Sequence, residues 1–141
     1  MKSSYTYQKA QLSISDNVSI APFGSIYYKL FAGKLLGVVP YPLLEVHPGN
    51  DFHYYNRNDF NMMYRYEFLS DRYAGCMIEH TIGNGLFNYI PVVKKFKLRQ
   101  FWNLKALYGN LSKENYDLNN PSISSYNYTF RTLSNIPYIE L

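Results

Sequence analysis

Three histidines, His47, His53 and His80, are the side chains of this chain best suited to proton transfer or metal binding near neutral pH. His47 and His53 share one segment with Glu45, Asp51 and Asp59, and such a group of donors suits a metal ion or a polar ligand. A solvated or lumen-facing loop is the better reading of that segment. His80 directly follows Glu79, but neighbours on a strand point to opposite faces, so the two do not make an acid–base couple. Cys76 is the only cysteine, which excludes a disulfide framework and a zinc pattern. It reads as a small apolar residue rather than as a nucleophile. Glu67, Asp71 and Arg72 lie where a long loop runs into a strand. They read as loop-anchoring residues: Asp71 toward a nearby backbone N–H, Glu67 toward Arg65 or Arg72. There is no glycine-rich phosphate cradle, no G-x-S-x-G and no H-E-x-x-H. The residue types therefore point to no catalytic site, no metal and no cofactor.

Composition narrows the field further. Aromatic residues make up 18% of the 141 residues, with 16 Tyr and 9 Phe, while charged residues are 17%, against about 25% in soluble domains. Tyr has an apolar ring and a polar tip and suits surfaces that meet both oil and water. The formal charge is +4. The basic residues are dispersed, apart from "KKFKLR" at 94–99, and this argues against a nucleic-acid partner. That basic run reads as a solvated turn, with anionic headgroups or a periplasmic partner as the functional alternative. No stretch approaches the roughly 18 apolar residues of a membrane-crossing helix; the longest candidate, 30–46, is broken by Lys34, Gly37, Pro40, Pro42 and Glu45. Residues 1–20 lack the apolar core of a signal peptide. Either the chain is cytoplasmic, or the natural polypeptide starts upstream of Met1.

These residues sit on a recurring period of two. Ala10, Leu12, Ile14, Val18 and Ile20 share one face of a strand over 5–20, with Asp16 as the exception. After the short turn "APFG", Ile26, Tyr28, Leu30, Ala32 and Leu36 share a face over 25–36. Ala74, Cys76, Ile78 and Ile82 do so over 72–83, and Leu98, Trp102, Leu104, Ala106 and Tyr108 over 98–109. Residues 137–141 read as the start of a further strand. Between them lie a long irregular segment, 37–70, rich in Pro, Asn and Asp; a middling connection, 84–97; and a second polar loop, 110–136. Residues 62–68 could form a short strand inside the first of these, and 126–131 could add a little more.

The period alone does not say which solvent each face meets. A soluble one-sided sheet alternates in the same way as a strand between lipid and a wet lumen. Strand length favours the membrane: spans of this length exceed the average of about 5–6 residues and suit the roughly 9–11 that a tilted crossing needs. The Tyr excess and the alternation of short and long connections favour it too. On this reading the lipid-facing set is Leu12, Ile14, Ile26, Tyr28, Leu30, Ile78, Trp102, Leu104 and Tyr108. Lys34, near a strand end, snorkels to the interface, and Asp16 and His80 must lie away from the midplane. Lys9, Lys29, Glu79, Arg99 and Lys105 face the lumen. Four strands and the start of a fifth cannot close a barrel, for which the smallest natural bacterial examples need about eight.

The stretches "GVVPYPLLEVHPGND", "FNMMYRYEFLSDRYAG", "IEHTIGNGLFNYIPVVKKFKLR" and "LYGNLSKEN" carry a resemblance. The chain resembles the C-terminal barrel region of a Gram-negative outer-membrane family of unknown function. Its members carry an N-terminal carboxypeptidase-regulatory-like domain and a surface-antigen, BamA-like barrel. The resemblance implies that 37–70 is an extracellular loop folded back into the barrel, that 84–97 is a periplasmic turn, and that this chain is a fragment or truncated copy. Superfamily members that insert or translocate proteins carry an Arg-Gly-aromatic tip in the long loop. The nearest candidate here is "MYRYEF", which lacks the Gly.

The fold class expected is thus all-β: an antiparallel meander forming part of a transmembrane outer-membrane β-barrel. The function expected is non-enzymatic, in transport or in the assembly and surface display of other proteins. Its partners would be outer-membrane lipid and other outer-membrane or periplasmic proteins. The alternative is a soluble, lipocalin-like barrel whose aromatic faces line a cavity for a small apolar ligand. An esterase-like enzyme is a weaker third reading, because no nucleophile–base pair is visible.

Overall fold

A computed structural model describes residues 5–83, 100–120, 131–133 and 136–141. Strands β1 (Gln8–Ser19) and β2 (Ser25–Leu36) form a hairpin, 12 residues on each side. Its turn closes with Ile20 N–H donating to the Gly24 carbonyl at 2.7 Å and Phe23 N–H to the Ile20 carbonyl at 2.6 Å. Gly24 has φ of +95°, and a Cβ there would run into the carbonyl of Thr81 on the neighbouring strand, so this corner requires glycine. Two short strands follow, β3 (Glu45–Val46) and β4 (Leu69–Ser70), paired only with each other. Then come β5 (Arg72–Gly83, 12 residues), β6 (Gln100–Asn110, 11 residues), helix α1 (Lys113–Asn119) and β7 (Tyr138–Glu140).

The main sheet has the order β1-β2-β5-β6-β7 and is antiparallel at every pair. Its register sorts the side chains into rows. On one face lie Leu12, Ala32, Ala74 and Tyr108; then Ile14, Leu30, Cys76, Ala106 and Ile139; then Asp16, Tyr28, Ile78 and Leu104; then Val18, Ile26, His80 and Trp102. On the other lie Ser13, Phe31, Gly75, Leu107 and Tyr138; Ser15, Lys29, Met77, Lys105 and Glu140; and Asn17, Tyr27, Glu79 and Asn103.

Only the second face is covered, and there over β2, β5, β6 and β7, while every residue of β1 is exposed. Residues 37–71 fold back across it, so the core lies between sheet and loop. Phe60, Met63 and Leu133 pack on Met77 and Leu107, with Phe31, Tyr73 and Tyr138 around them. Nearer the strand ends, Leu35, Val39, Leu44, Leu69 and Leu111 form a second cluster. Two cross-strand pairs let the loop lie close. Phe31 stands opposite Gly75, Tyr73 opposite Gly33, and each ring lies over the facing glycine. A Cβ at Gly33 would sit 2.5 Å from Tyr73 Cζ.

Three expectations need correction or limits. Residues 62–68 do not form a strand. Tyr64 N–H donates to the Glu67 carboxylate at 2.9 Å, Glu67 N–H to the Tyr64 carbonyl at 3.2 Å, and Tyr66 has φ of +64°, so the segment turns on itself. The second polar loop is not irregular throughout: it begins with α1. Residues 84–99, with the basic turn, and residues 121–130 lie outside the described residues. Arg131 makes an isolated bridge with Phe68.

Candidate functional site

The outward face is apolar and open. Leu12 is 66% exposed and Trp102 63%, and Ile14, Leu30, Ile78, Leu104 and Tyr108 are also exposed, while Ile26 and Tyr28 are half-buried. All nine side chains read as lipid-facing lie on this one face, in adjoining rows. At the hairpin end the outward face carries Trp102 and His80, whose Nε2 donates to the Phe23 carbonyl at 2.9 Å. At the opposite end it carries Tyr108, Lys34 and Arg72. Asp16 also points outward, in register with Tyr28, and accepts the N–H of Asn17 at 2.7 Å.

The inner face of the sheet holds buried charge. Lys105 is 1% exposed and Glu79 6%. Glu79 on β5 accepts from the Arg57 guanidinium and from the Tyr55 hydroxyl at 2.5 Å, both in the covering segment. The Glu79 carboxylate holds the Arg57 pKa above its ordinary value, and burial, reinforced by the bond to Glu79, raises that of Tyr55. Lys105 on β6 donates to the backbone carbonyls of Asn56, at 3.0 Å, and Asp59, and lies 3.6 Å from Glu140. Glu140 on β7 accepts the N–H groups of Asn61 at 3.0 Å and Met62 at 2.9 Å. One wall cation and two wall carboxylates thus grip the loop.

The other end of the segment is tied by amides and by a buried imidazole. Asn115, 1% exposed in α1, accepts from Val39 N–H at 2.9 Å and donates to the Gly37 carbonyl and the Asp71 carboxylate. His47 is buried 3.0 Å from the Ser70 hydroxyl and edge-on to Tyr73. Burial pushes its pKa down to about 4, against the smaller pull of Glu45. Lys9 pairs with Glu45 at 2.5 Å, and Gln11 bridges Glu45 and Tyr73, so β3 is held to β1 and β5. Beside them a cleft of about 300 Å3 opens on the inner face, with Ser13, Lys29, Phe31 and Met77 among its walls.

The profile that describes the C-terminal domain of DUF5686, a family of unknown function, matches residues 1–119. The chain belongs to this family. The matched part of the DUF5686 domain takes in the four long strands, the covering segment and α1. No curated protein and no solved structure matches the chain.

Within the DUF5686 domain the residues singled out in the sequence fall in different places. Asp71 accepts the N–H of Ser112 at 2.7 Å and the amide of Asn115 at 3.0 Å, joining the loop end to α1. Glu67 pairs with Arg131 at 3.0 Å, not with Arg65 or Arg72. Arg65, from "MYRYEF", lies 3.8 Å from Asp51, both about half exposed; the arginine of this segment that meets the wall is Arg57, from "YNRND". Arg72 stands outward beside Lys34. His47 and His53 do not converge, since His53 is exposed and His47 is enclosed by Ser70 and Tyr73. Glu79 and His80 point to opposite faces. Among the described residues no group of three or more His, Cys, Asp and Glu side chains could hold a metal ion. Sequence reasoning missed Tyr55, Arg57, Asn115 and the carboxylate role of Glu140. All four act across long chain separations, and the only local hint was the density of Asn and Asp around Arg57.

Proposed function

We propose that this DUF5686 domain is part of a transmembrane β-barrel of the outer membrane of a Gram-negative bacterium, with no catalytic role of its own. The observation that carries the reading is the inversion of the sheet: side chains of the Leu12 and Trp102 kind are open while Lys105, Glu79 and Glu140 are enclosed. In water, a large apolar side chain gains about 1.5–3 kcal/mol on burial. Leaving the outward set about half exposed forgoes on the order of 10 kcal/mol, comparable with the roughly 5–15 kcal/mol that holds a whole domain together. Acyl chains remove that cost. They also suit the placing of charge on the outward rows, where Lys34 and Arg72 stand at the border and Asp16, against expectation, stands in a central row, since Lys or Arg at the midplane costs about 2–4 kcal/mol and Asp less.

Lipid does not satisfy the edge groups of an open sheet. In this reading the free edges of β1 and β7 pair with further strands, and residues 37–71 occupy part of the lumen. The barrel serves transport, or the assembly and surface display of other proteins, and works with a carboxypeptidase-regulatory-like domain elsewhere in the polypeptide. A lipocalin-like binder is less well supported. The cleft near Lys29 lies on the inner side of the sheet and not between the outward apolar rows.

The test is location and solvent together. The full-length protein should sediment with outer membranes and migrate differently on gels before and after heating. Lipids brominated on their acyl chains should quench the fluorescence of Trp102, the single tryptophan of this chain. A protein that stays monomeric in detergent-free buffer, with Trp102 unquenched, would sink the proposal.

A further inference from the structure

The outward face ends, on the side where α1 and residues 37–71 lie, in an arrangement that needs a partner. Lys34 on β2 and Arg72 on β5 are directly opposed in register, and both are exposed. Like charges directly across an antiparallel pair repel. None of the ion pairs among the described residues includes either of them. Asp71, beside Arg72 in sequence, lines the cleft next to the pair, but its carboxylate is buried and held by Ser112 and Asn115. Glu114 shares the neighbourhood but forms no ion pair with either cation. A cleft of about 250 Å3 lies between the two cations and α1, and its walls include Leu36, Val38 and Ser112. Leu36 and Val38 are exposed apolar side chains. Directly inward from the pair, toward the middle of the sheet, the outward rows turn apolar: Leu12, Ala32, Ala74 and Tyr108, then Ile14, Leu30 and Cys76.

We propose that Lys34 and Arg72 clamp the phosphate of an anionic lipid, whose acyl chains lie along the apolar rows below. The inference rests on the membrane reading above. The chemistry fits a headgroup phosphate: Arg72 offers a planar fork to two oxygens, Lys34 adds a compact point charge, and a bound anion turns their repulsion into a shared attraction. The position fits as well, because headgroups lie at the border of the hydrocarbon layer, where cations are tolerated. A free phosphate would use the same groups but would leave Leu36, Val38 and the rows below uncovered, so the lipid is the favoured source.

The test uses the full-length protein reconstituted into vesicles of phosphatidylcholine, with and without phosphatidylglycerol. The readout is the midpoint of thermal loss of the folded gel band. Phosphatidylglycerol should raise the midpoint of the unmodified protein by about 4 °C. The double variant K34Q/R72Q should lose that rise, and K34E/R72E should reverse it. The inward-facing control K29Q should retain it. An equal rise in the unmodified protein and in K34Q/R72Q would overturn the clamp while leaving the membrane reading intact. A rise produced by inorganic phosphate alone in phosphatidylcholine would overturn the lipid as its source. Protein that fails to float with the vesicles would overturn the membrane reading itself.

Discussion

Replacing Leu30 by arginine separates lipid from water most sharply. Leu30 belongs to the row shared with Ile14, Cys76, Ala106 and Ile139. Lys34 lies four residues along β2 in one direction and Ile26 four in the other. In the proposed barrel, at about 3.3 Å per residue and a tilt of about 40°, Leu30 would sit about 10 Å below the Lys34–Arg72 border. That would be close to the middle of the apolar band, about 25 Å tall, of such a barrel. Arginine at such a depth costs about 2–4 kcal/mol, a loss of roughly 30- to 700-fold in the folding equilibrium. On a soluble sheet the same position is an exposed surface site, where substitutions usually stay within about 0.5 kcal/mol. The assay is denaturant unfolding of the full-length protein in phosphatidylcholine vesicles, followed by gel mobility without heating. Leu36→Arg, beyond the Lys34 row, should cost no more than about 1 kcal/mol. If Leu30→Arg and Leu36→Arg unfold at the same denaturant concentration as the unmodified protein, the assignment of the outward face to lipid is refuted.

Glu79→Ala leaves the Arg57 guanidinium and the Tyr55 hydroxyl without their acceptor. It should destabilise the covering segment by about 1–3 kcal/mol and expose residues 48–63 to protease while β5 and β6 stay protected. Asn115→Ala strips partners from Val39 N–H, the Gly37 carbonyl and Asp71; the expected loss is about 2 kcal/mol, read as faster hydrogen exchange in α1 and at Val39. His47 contributes a pH dependence. Its folded pKa is about 4, below the ordinary value of 6.5, so the folded state favours the neutral ring. That stability is fully present above pH 6.5 and is lost as the pH falls toward 4, by about 3 kcal/mol at most. Between these values His47→Gln should flatten the change of unfolding midpoint with pH.

What could be read from the residues was local. The antiparallel β-rich class and the face assignments of Leu12, Leu30, Ile78 and Leu104 follow from a period of two, which any window of a strand displays. Helix α1 left a trace as well: Ser112 stands at its N-cap position and Glu114 in its first turn, a start signal that the surrounding Asn-rich run concealed. The resemblance implied that residues 37–70 fold back, but the points where they attach were not readable. The fixings join Arg57 to Glu79, Asn61 to Glu140 and Val39 to Asn115, and nothing local foretells such distant partners. Lys105 was assigned to the wet side, but its acceptors are main-chain carbonyls, which have no residue signature. Arg65 drew attention because an arginine between aromatics looks like a motif, yet its neighbours turn it toward Asp51 at the surface.

Lys105 and Glu140 meet the covering segment largely through peptide groups, two carbonyls for the lysine and two amides for the glutamate, with the Tyr55 ring and the Asn61 amide as the side-chain contacts. The main-chain part of that recognition is indifferent to spelling. The wall dictates the path of residues 56–62 and leaves the open positions around them, such as Met62 and Tyr64, free to change identity. A scaffold of this design can change these exposed side chains without altering how the segment that carries them is held.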